Sequence, residues 1–290
     1  MKFTVEELTT LNEKGTLFLV ATPIGNLEDI TFRALRVLRE VDLIAAEDTR
    51  HTIKLLNHFE IKKSMVSYFE YNKMEKGTYL IQLLLEGKNI ALVSDAGTPG
   101  ISDPGEELVS LAIKNNINVT MTPGPVAAIA GLVLSGLPTD KFVFEGFLPI
   151  NKRTRKEIIL SLKEESKTLI FYEAPHKLLT TLKDLFLLLG DRKIALAREL
   201  TKKYEEVIRC SFEEAIERFT SQTPKGEFVI IIQGIGTEVA IERERRKWEN
   251  ISLQEHVNLY LSQGLVKKEA LKKAADDRGI SKRDVYNALL

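Results

Sequence analysis

Short apolar runs alternate with longer amphipathic stretches from Thr16 to Thr122, and this alternation constrains the fold more than any other feature of the chain. The short runs are "TLFLVAT", "DLIAAED", "MVSYFE", "NIALVSD" and "NVTMTP", and the stretches between them have the apolar spacing of helices. Continuous apolar strands separated by helices are typical of a parallel or mostly parallel sheet. Residues 1–122 therefore predict an α/β domain.

The turn-forming segment "TPGP" interrupts this pattern, and residues 123–236 predict a second α/β domain. Its strand-like runs "KIALAREL" and "YEEVIRCSF" are separated by only a few residues, which favours an antiparallel hairpin and hence a mixed sheet. Residues 237–290 have no strand pattern and predict a charged helical linker followed by three short helices.

Composition limits the classes of function. The chain has 290 residues with 41 Lys+Arg and 41 Asp+Glu, so the overall charge does not favour nucleic acid and only local clusters can. Cys210 is the single cysteine, which excludes internal disulfides and cysteine-based zinc clusters, and we predict no metal site.

No apolar run reaches membrane-spanning length and the N-terminal segment has no signal-peptide core, so we expect a soluble, cytoplasmic protein.

The glycine-rich loop "SDAGTPGISDPG" (Ser94–Gly105) follows one of the predicted strands. It matches neither the phosphate loop nor the dinucleotide fingerprint, and Pro104 spoils its likeness to a serine nucleophile elbow. Its end predicts a helix start, with Asp103 as the N-cap. The remaining "AGTPGIS" offers a closely approachable backbone and no cation. Such a loop suits a neutral or cationic nucleoside, for example S-adenosylmethionine, better than a polyphosphate.

Two further polar loops, "ATPIGNLEDIT" (Ala21–Thr31) and "AEDTRH" (Ala46–His51), also follow strands. Ligands of open α/β sheets bind at the carboxyl ends of the strands, so these loops are candidate site segments. Helix capping, by Asp29 or Thr31 in the first loop and by Asp48 in the second, is the alternative explanation. Glu47 and Arg50 indicate either polar chemistry or a salt bridge.

Eight segments together carry a resemblance: "LFLVATPIGNLEDIT", "AEDTR", "ALVSDAGTPGISDPG", "PGPVAAIAGLVLSGLPTD", "FEGFLP", "FYEAPHKL", "ARELTKKYEE" and "GEFVIII". In this order they resemble the tetrapyrrole methylase superfamily from about Gly15 to Gly234. Within it the chain is most similar to the branch that methylates the 2′-hydroxyl of a cytidine in 16S ribosomal RNA.

The resemblance implies two α/β domains with S-adenosyl-L-methionine in the cleft between them, usually in a homodimer. The cofactor core G-G-D-P of the superfamily corresponds to Ala96-Gly97-Thr98-Pro99, so Thr98 replaces the acidic residue, and its hydroxyl can still form a hydrogen bond. The implied cofactor-binding residues are Ile24, Gly97, Thr98, Pro99, Ile101, Val126, Ala127, Tyr172, Glu173 and Phe228.

Methyl transfer from a sulfonium is an in-line displacement, so alignment supplies much of the acceleration, and a ribose hydroxyl benefits from a general base. Our candidates for catalytic residues are Glu47, Asp48, Arg50 and Glu199. For Glu199, a structural ion pair with Arg198 is the alternative.

The basic cluster "NKRTRK" predicts an RNA-binding patch that comprises Lys152, Arg153 and Arg155, with Lys202 and Lys203. A short basic run is also typical of a solvated helix start.

In the C-terminal part, the spacing of Ala275, Gly279 and Val285 suits a helix-turn-helix, and Ser281 with Asp284 forms a capping box. We expect contact with 16S rRNA in the small ribosomal subunit; a small packing module is the alternative. The rival functions are a methylase of a tetrapyrrole or other small molecule, and a DNA-binding regulator whose α/β part senses a ligand.

Overall fold

The computed structural model describes residues 14–236, 248 and 250–289, and within them the chain forms two sheets and a helical module. The first residues of the chain and most of the predicted linker lie outside the described residues. The two-sheet architecture expected from the sequence is confirmed. The domain limits at 122 and 236 remain a prediction.

The first sheet is fully parallel, with the strand order β3-β2-β4-β1-β5. Its strands are β1 Thr16–Val20, β2 Leu43–Ala46, β3 Met65–Ser67, β4 Ile90–Val93 and β5 Asn118–Thr122. The connecting helices are α1 Phe32–Glu40, α2 Thr49–His58, α3 Lys73–Leu85 and α4 Glu106–Lys114. Phe18 and Val20 pack on one face with α1 and α2, whereas Leu17 packs on the other face with α3 and α4. Because both faces are covered, the central strands are apolar throughout, which explains the sequence pattern.

The second sheet is mixed, with the strand order β6-β7-β10-β8-β9. Its strands are β6 Phe142–Phe147, β7 Thr168–Glu173, β8 Lys193–Arg198, β9 Glu206–Ser211 and β10 Phe228–Ile232. Only β6 and β7 pair in parallel, and β8 and β9 form the predicted antiparallel hairpin. Its helices are α5 Ala127–Ser135, α6 Lys152–Ser161, α7 Pro175–Leu189 and α8 Phe212–Ser221. Helix α5 packs on one face of this sheet and the other three cover the opposite face.

The C-terminal module consists of the three expected helices, α9 Leu253–Ser262, α10 Lys267–Arg278 and α11 Lys282–Ala288. Ala275 and Val285 are buried in its own small core. Gly279 ends α10 in the left-handed conformation (φ +63°), and the Ser281–Asp284 capping box begins α11. The three positions chosen for a helix-turn-helix therefore have the expected packing, turn and anchor roles.

Among the described residues, no helix is both long and apolar enough to cross a membrane.

Candidate functional site

A cleft lies between the two sheets. The carboxyl ends of strands from both sheets point towards it. β8 and β7 are both antiparallel to β10, so they run in the same direction, as does β6. The loops after β1, β4 and β5 meet the loops after β6, β7 and β8 around a cavity of about 370 Å³. This volume lies within the range of small-molecule sites. We call it the first cavity.

Nine of the ten predicted cofactor residues line the first cavity, and Pro99 is buried beside it. The nine are Ile24, Gly97, Thr98, Ile101, Val126, Ala127, Tyr172, Glu173 and Phe228. The residues that the carboxyl-end rule, the glycine loop and the resemblance pointed to thus converge on one cavity. The roles of these residues remain a prediction.

The glycine loop is fixed by bonds that turn its backbone towards the cavity. Thr22 N donates to Gly97 O (2.8 Å) and Gly97 N donates to Thr22 O (3.0 Å). Gly97 has φ +79°, and a Cβ there would lie 3.3 Å from Cγ2 of Ile24 and 3.5 Å from the carbonyl oxygen of Pro125. The Thr98 hydroxyl donates to that same carbonyl (3.2 Å). Thr98 therefore ties two loops together at the position where the superfamily has an acid.

Hydrogen bonds hold the opposite wall in a similar way. The Tyr172 hydroxyl accepts from Ala128 N (3.0 Å), which anchors the first turn of α5. Glu173 is buried, and both its carboxylate oxygens are used, by Ala174 N (2.8 Å) and by the Thr181 hydroxyl (2.6 Å). Glu173 therefore shapes the wall and secures the start of α7.

Glu199 lines the first cavity but is held in place by its neighbours. Its Oε1 accepts from Glu227 N (3.0 Å) and from Lys202 Nζ (3.0 Å), and its backbone has φ +50°. Burial opposes ionisation, but these two bonds outweigh it and lower the pKa of Glu199. This arrangement indicates a positioning role rather than a proton acceptor.

The alternative ion pair between Arg198 and Glu199 is not formed. Arg198 instead donates to the Lys225 carbonyl (2.6 Å) and lies 3.5 Å from Glu206. Lys202 also pairs with Glu227 (2.8 Å) and lines the cavity. Its ammonium group is therefore committed to the cavity wall and not to an exposed RNA patch.

The interpretation of Asp103 as a helix cap was wrong. Helix α4 begins at Glu106 with Gly105 as N-cap, because Ser102 (φ +62°) turns the chain before the expected cap can form. Asp103 lines the first cavity instead. Burial, and then the charge of Glu47, raise its pKa to about 7 against a hydrogen bond with Ser94. The segment "SDPGE" fits a cap at either residue, so only the backbone geometry could have revealed this role.

None of the "AEDTR" residues lines the first cavity, but Glu47 is close enough to Asp103 for its charge to raise the pKa of that group. Glu47 accepts from Asp95 N (3.2 Å), while Asp95 Oδ1 accepts from Asp48 N (3.1 Å), so the loops after β2 and β4 are bonded reciprocally. Burial and the charges of Asp95 and Asp48 raise the pKa of Glu47, against the bond from Asp95 N.

Asp48 caps the N-terminus of α2, which was the alternative explanation for this residue. Its Oδ1 accepts from Arg50 N (2.8 Å) at the start of α2, and the Arg50 side chain binds both its oxygens (3.1 and 2.8 Å). These bonds lower the pKa of Asp48 to about 2. Arg50 itself is exposed.

The predicted RNA patch is only partly at the surface. Lys152 and Arg153 are exposed at the start of α6, and Lys203 is exposed beside the Tyr204 ring. Arg155 is buried and its guanidinium pairs with Asp184 on α7, so it does not belong to the exposed patch. Among the described residues, no cluster of His, Cys, Asp or Glu is arranged to hold a metal ion.

Comparison with known proteins agrees with this geometry. The family model of tetrapyrrole (corrin/porphyrin) methylases matches residues 16–216. A crystal structure of uroporphyrin-III C-methyltransferase from Thermus thermophilus, complexed with S-adenosyl homocysteine, has a TM-score of 0.53 at 19% identity and covers 78% of this chain and 100% of that chain. At this identity the likeness concerns the fold. The chain belongs to the tetrapyrrole methylase family, as the sequence predicted.

Its curated relatives carry a more particular name. Ribosomal RNA small subunit methyltransferase I of Halalkalibacterium halodurans is 54% identical over 276 residues, which cover 95% of each chain. The relative of the same name from Thermotoga maritima is 48% identical over 220 residues, which cover 76% of this chain and 99% of the relative. About a quarter of this chain therefore has no counterpart in the shorter relative.

Proposed function

We propose that the chain transfers the methyl group of S-adenosyl-L-methionine to the ribose 2′-hydroxyl of a cytidine in the decoding region of 16S rRNA, on the small ribosomal subunit. The similarity to relatives named ribosomal RNA small subunit methyltransferase I, over nearly the whole chain, is the observation that carries this proposal. The specific hydroxyl and nucleotide rest on the sequence resemblance.

The first cavity fits this cofactor in size and in charge. S-adenosyl-L-methionine, when bound, supplies an electrophilic methyl group on a cationic sulfur. The cavity offers the carboxylate of Asp103, and the ammonium group of Lys202, which also lines it, is already paired with Glu199 and Glu227. Gly97 keeps the backbone open where a side chain would fill the wall. The donor set thus suits a cationic nucleoside without phosphates.

Glu47 is the predicted catalytic residue whose properties best suit a general base. It is half-buried with a raised pKa, whereas Asp48 and Glu199 are held ionised by cationic partners. We expect Glu47→Gln to lower kcat while cofactor affinity is retained, and Glu199→Gln to weaken cofactor binding as well. Titration calorimetry and methylation rates separate the two effects. Wild-type rates in both variants would contradict these roles.

Labelled methyl transfer tests the proposed function directly. The protein is incubated with methyl-tritiated S-adenosylmethionine and, in parallel, with unmodified small subunits, a tetrapyrrole precursor and duplex DNA. We expect label only in 16S rRNA, at one cytidine whose 3′ phosphodiester resists alkaline hydrolysis. Label in the tetrapyrrole alone would support the small-molecule alternative, and DNA binding without transfer would support the regulator.

The appended module and the exposed basic residues are proposed to contact the RNA. Lys282 and Arg283 are exposed on α11, and Lys152, Arg153 and Lys203 are exposed near the carboxyl ends of the second sheet. Lysine and arginine at the surface supply the charge that binds an RNA backbone. We expect the double substitution Lys282→Ala/Arg283→Ala to raise the KM for subunits without changing cofactor affinity. An unchanged KM would exclude α11 from the interface.

We also propose that the protein acts as a homodimer in the cytoplasm, where its ribosomal substrate lies. Support for the dimer comes from α5, where Ile129 and Val133 stand four residues apart and are 44% and 66% exposed. Neighbouring apolar side chains on one helix face are typical of an interface. We expect Val133→Glu to shift the sedimentation coefficient from that of a dimer to that of a monomer. An unchanged value would place the interface elsewhere.

A further inference from the structure

A second cavity of about 240 Å³ lies on the other side of the loops that form the first. Its walls include Thr22, His51, Thr52, Lys54, Ser94 and Asp95. The volume is below the lower end of the range for drug-sized ligands, about 300 Å³, and therefore suits a single small ring system.

The two cavities share one wall. In the loop after β1, Thr22 and Pro23 line the second cavity and the next residue, Ile24, lines the first. In the loop after β4, Ser94 and Asp95 line the second cavity and the next residue, Ala96, lines the first. The Thr22–Gly97 backbone bridge and a bond from the Thr22 hydroxyl to Ser94 O (3.4 Å) hold this wall together. A ligand in the second cavity is therefore separated from the first cavity only by two loops that are hydrogen-bonded to each other.

The second cavity carries groups that can recognise a base. The Asp95 side chain is exposed at its wall, and its bond from Asp48 N uses only one of the two carboxylate oxygens. His51 and Lys54 are exposed three residues apart on α2, so they lie on the same face of the helix. A carboxylate accepts from the exocyclic amine of cytosine, whereas uracil presents a carbonyl there and is repelled. Imidazole and ammonium groups can donate to the ring and carbonyl acceptors of the base or to its phosphate.

We propose that the second cavity receives the base of the cytidine that is methylated, with Asp95 accepting from its exocyclic amine. RNA is recognised in this way at unpaired nucleotides, whose bases are turned out of the stack into a pocket. The inference rests on the proposed function, because it assigns the pocket for that substrate. It goes beyond it by naming Asp95 as the residue that determines base specificity.

The test compares small subunits whose 16S rRNA carries cytidine or uridine at the methylated position. We expect the wild-type protein to prefer cytidine by about tenfold or more in kcat/KM, as a hydrogen bond to a charged group implies. Asp95→Asn retains the acceptor for Asp48 N but can turn its amide towards uracil, so the preference should fall to about threefold or less. Asp140→Asn, an exposed carboxylate at the opposite end of β6, is the matched control and should keep the wild-type preference.

Further measurements keep the outcomes distinct. Unchanged cofactor affinity of Asp95→Asn shows that the fold and the first cavity are intact. Lys54→Ala is expected to raise the KM for the cytidine-bearing and the uridine-bearing small subunits alike, without changing the ratio of their kcat/KM values. An Asp95→Asn or Asp95→Ala protein that keeps the wild-type preference for cytidine would overturn the inference while leaving the proposed function standing. A wild-type protein that methylates neither the cytidine-bearing nor the uridine-bearing small subunits would overturn both the inference and the proposed function.

Discussion

Cofactor binding should depend on pH through Asp103. This carboxyl group lines the first cavity with a pKa of about 7, because it is partly buried and close to Glu47. If only the carboxylate binds the cationic cofactor well, the competent fraction is about one tenth at pH 6 and about nine tenths at pH 8. The apparent affinity should therefore rise about tenfold between these two pH values.

Titration calorimetry from pH 6 to 8 measures this effect, and Asp103→Asn provides the reference. The asparagine variant should bind more weakly and should lose the pH dependence that comes from the protein, leaving only that of the ligand. Asp48→Asn is the matched control, since the Asp48 carboxyl, with a pKa of about 2, is ionised throughout this range. The same slope in wild-type and Asp103→Asn proteins would refute the assignment.

The stability of the ligand-free protein should move in the opposite direction. A carboxyl group whose pKa is raised in the folded state stabilises the fold fully only below its unfolded pKa, and this contribution is lost as pH rises to about 7. Asparagine resembles the protonated acid. Asp103→Asn should therefore raise the melting temperature at pH 8 while it lowers cofactor affinity, a combination that general damage to the fold does not produce.

Three further results are expected. Gly97→Ala should cost about 1–2 kcal/mol of stability, measured by denaturant unfolding, and should weaken cofactor binding, because φ is +79° and the new Cβ meets the wall; a neutral change would contradict this. Lys152→Ala/Arg153→Ala should reduce the salt slope of RNA binding by about 1.4, whereas Arg155→Ala should leave the slope unchanged and lower the melting temperature. Burial lowers the pKa of His256 in the C-terminal module, so the module should lose stability as pH falls below about 6.5, and a His256→Gln protein followed by circular dichroism should not show this dependence.

The sequence was sufficient to predict the two sheets, and the cofactor residues that it predicted converge on one cavity. Apolar runs such as Ile90–Val93 are continuous because both faces of the sheet are covered, and the loops that follow parallel strands must meet at one edge. Local patterns also predicted the Ser281 capping box, because it depends on residues only three positions apart.

What the sequence could not predict are contacts between distant residues and departures from ordinary backbone geometry. Arg155 is buried because Asp184, on another helix, pairs with it. Lys202 faces the cavity because Glu227 comes from a neighbouring strand start. Asp103 lies in the cleft because Ser102 adopts a positive φ, which no residue pattern indicates for a serine.

Four carboxylates in or near the first cavity fall into two groups, and the difference bears on product release. Asp48 and Glu199 have cationic partners and lowered pKa values, whereas burial raises the pKa values of Glu47 and Asp103, and the charge of Glu47 adds to the rise at Asp103. The second group holds unfavourable negative charge that a cationic ligand relieves.

Methyl transfer removes the positive charge of the sulfur, so S-adenosylhomocysteine no longer relieves this repulsion. Affinity for the methyl donor should therefore increase with pH more steeply than affinity for the product. The dissociation constants of donor and product should thus diverge between pH 6 and 8. In Asp103→Asn this divergence should shrink. Parallel slopes for donor and product in the wild-type protein would show that Asp103 responds to another part of the ligand, such as its ribose or amino acid moiety, and not to the sulfonium charge.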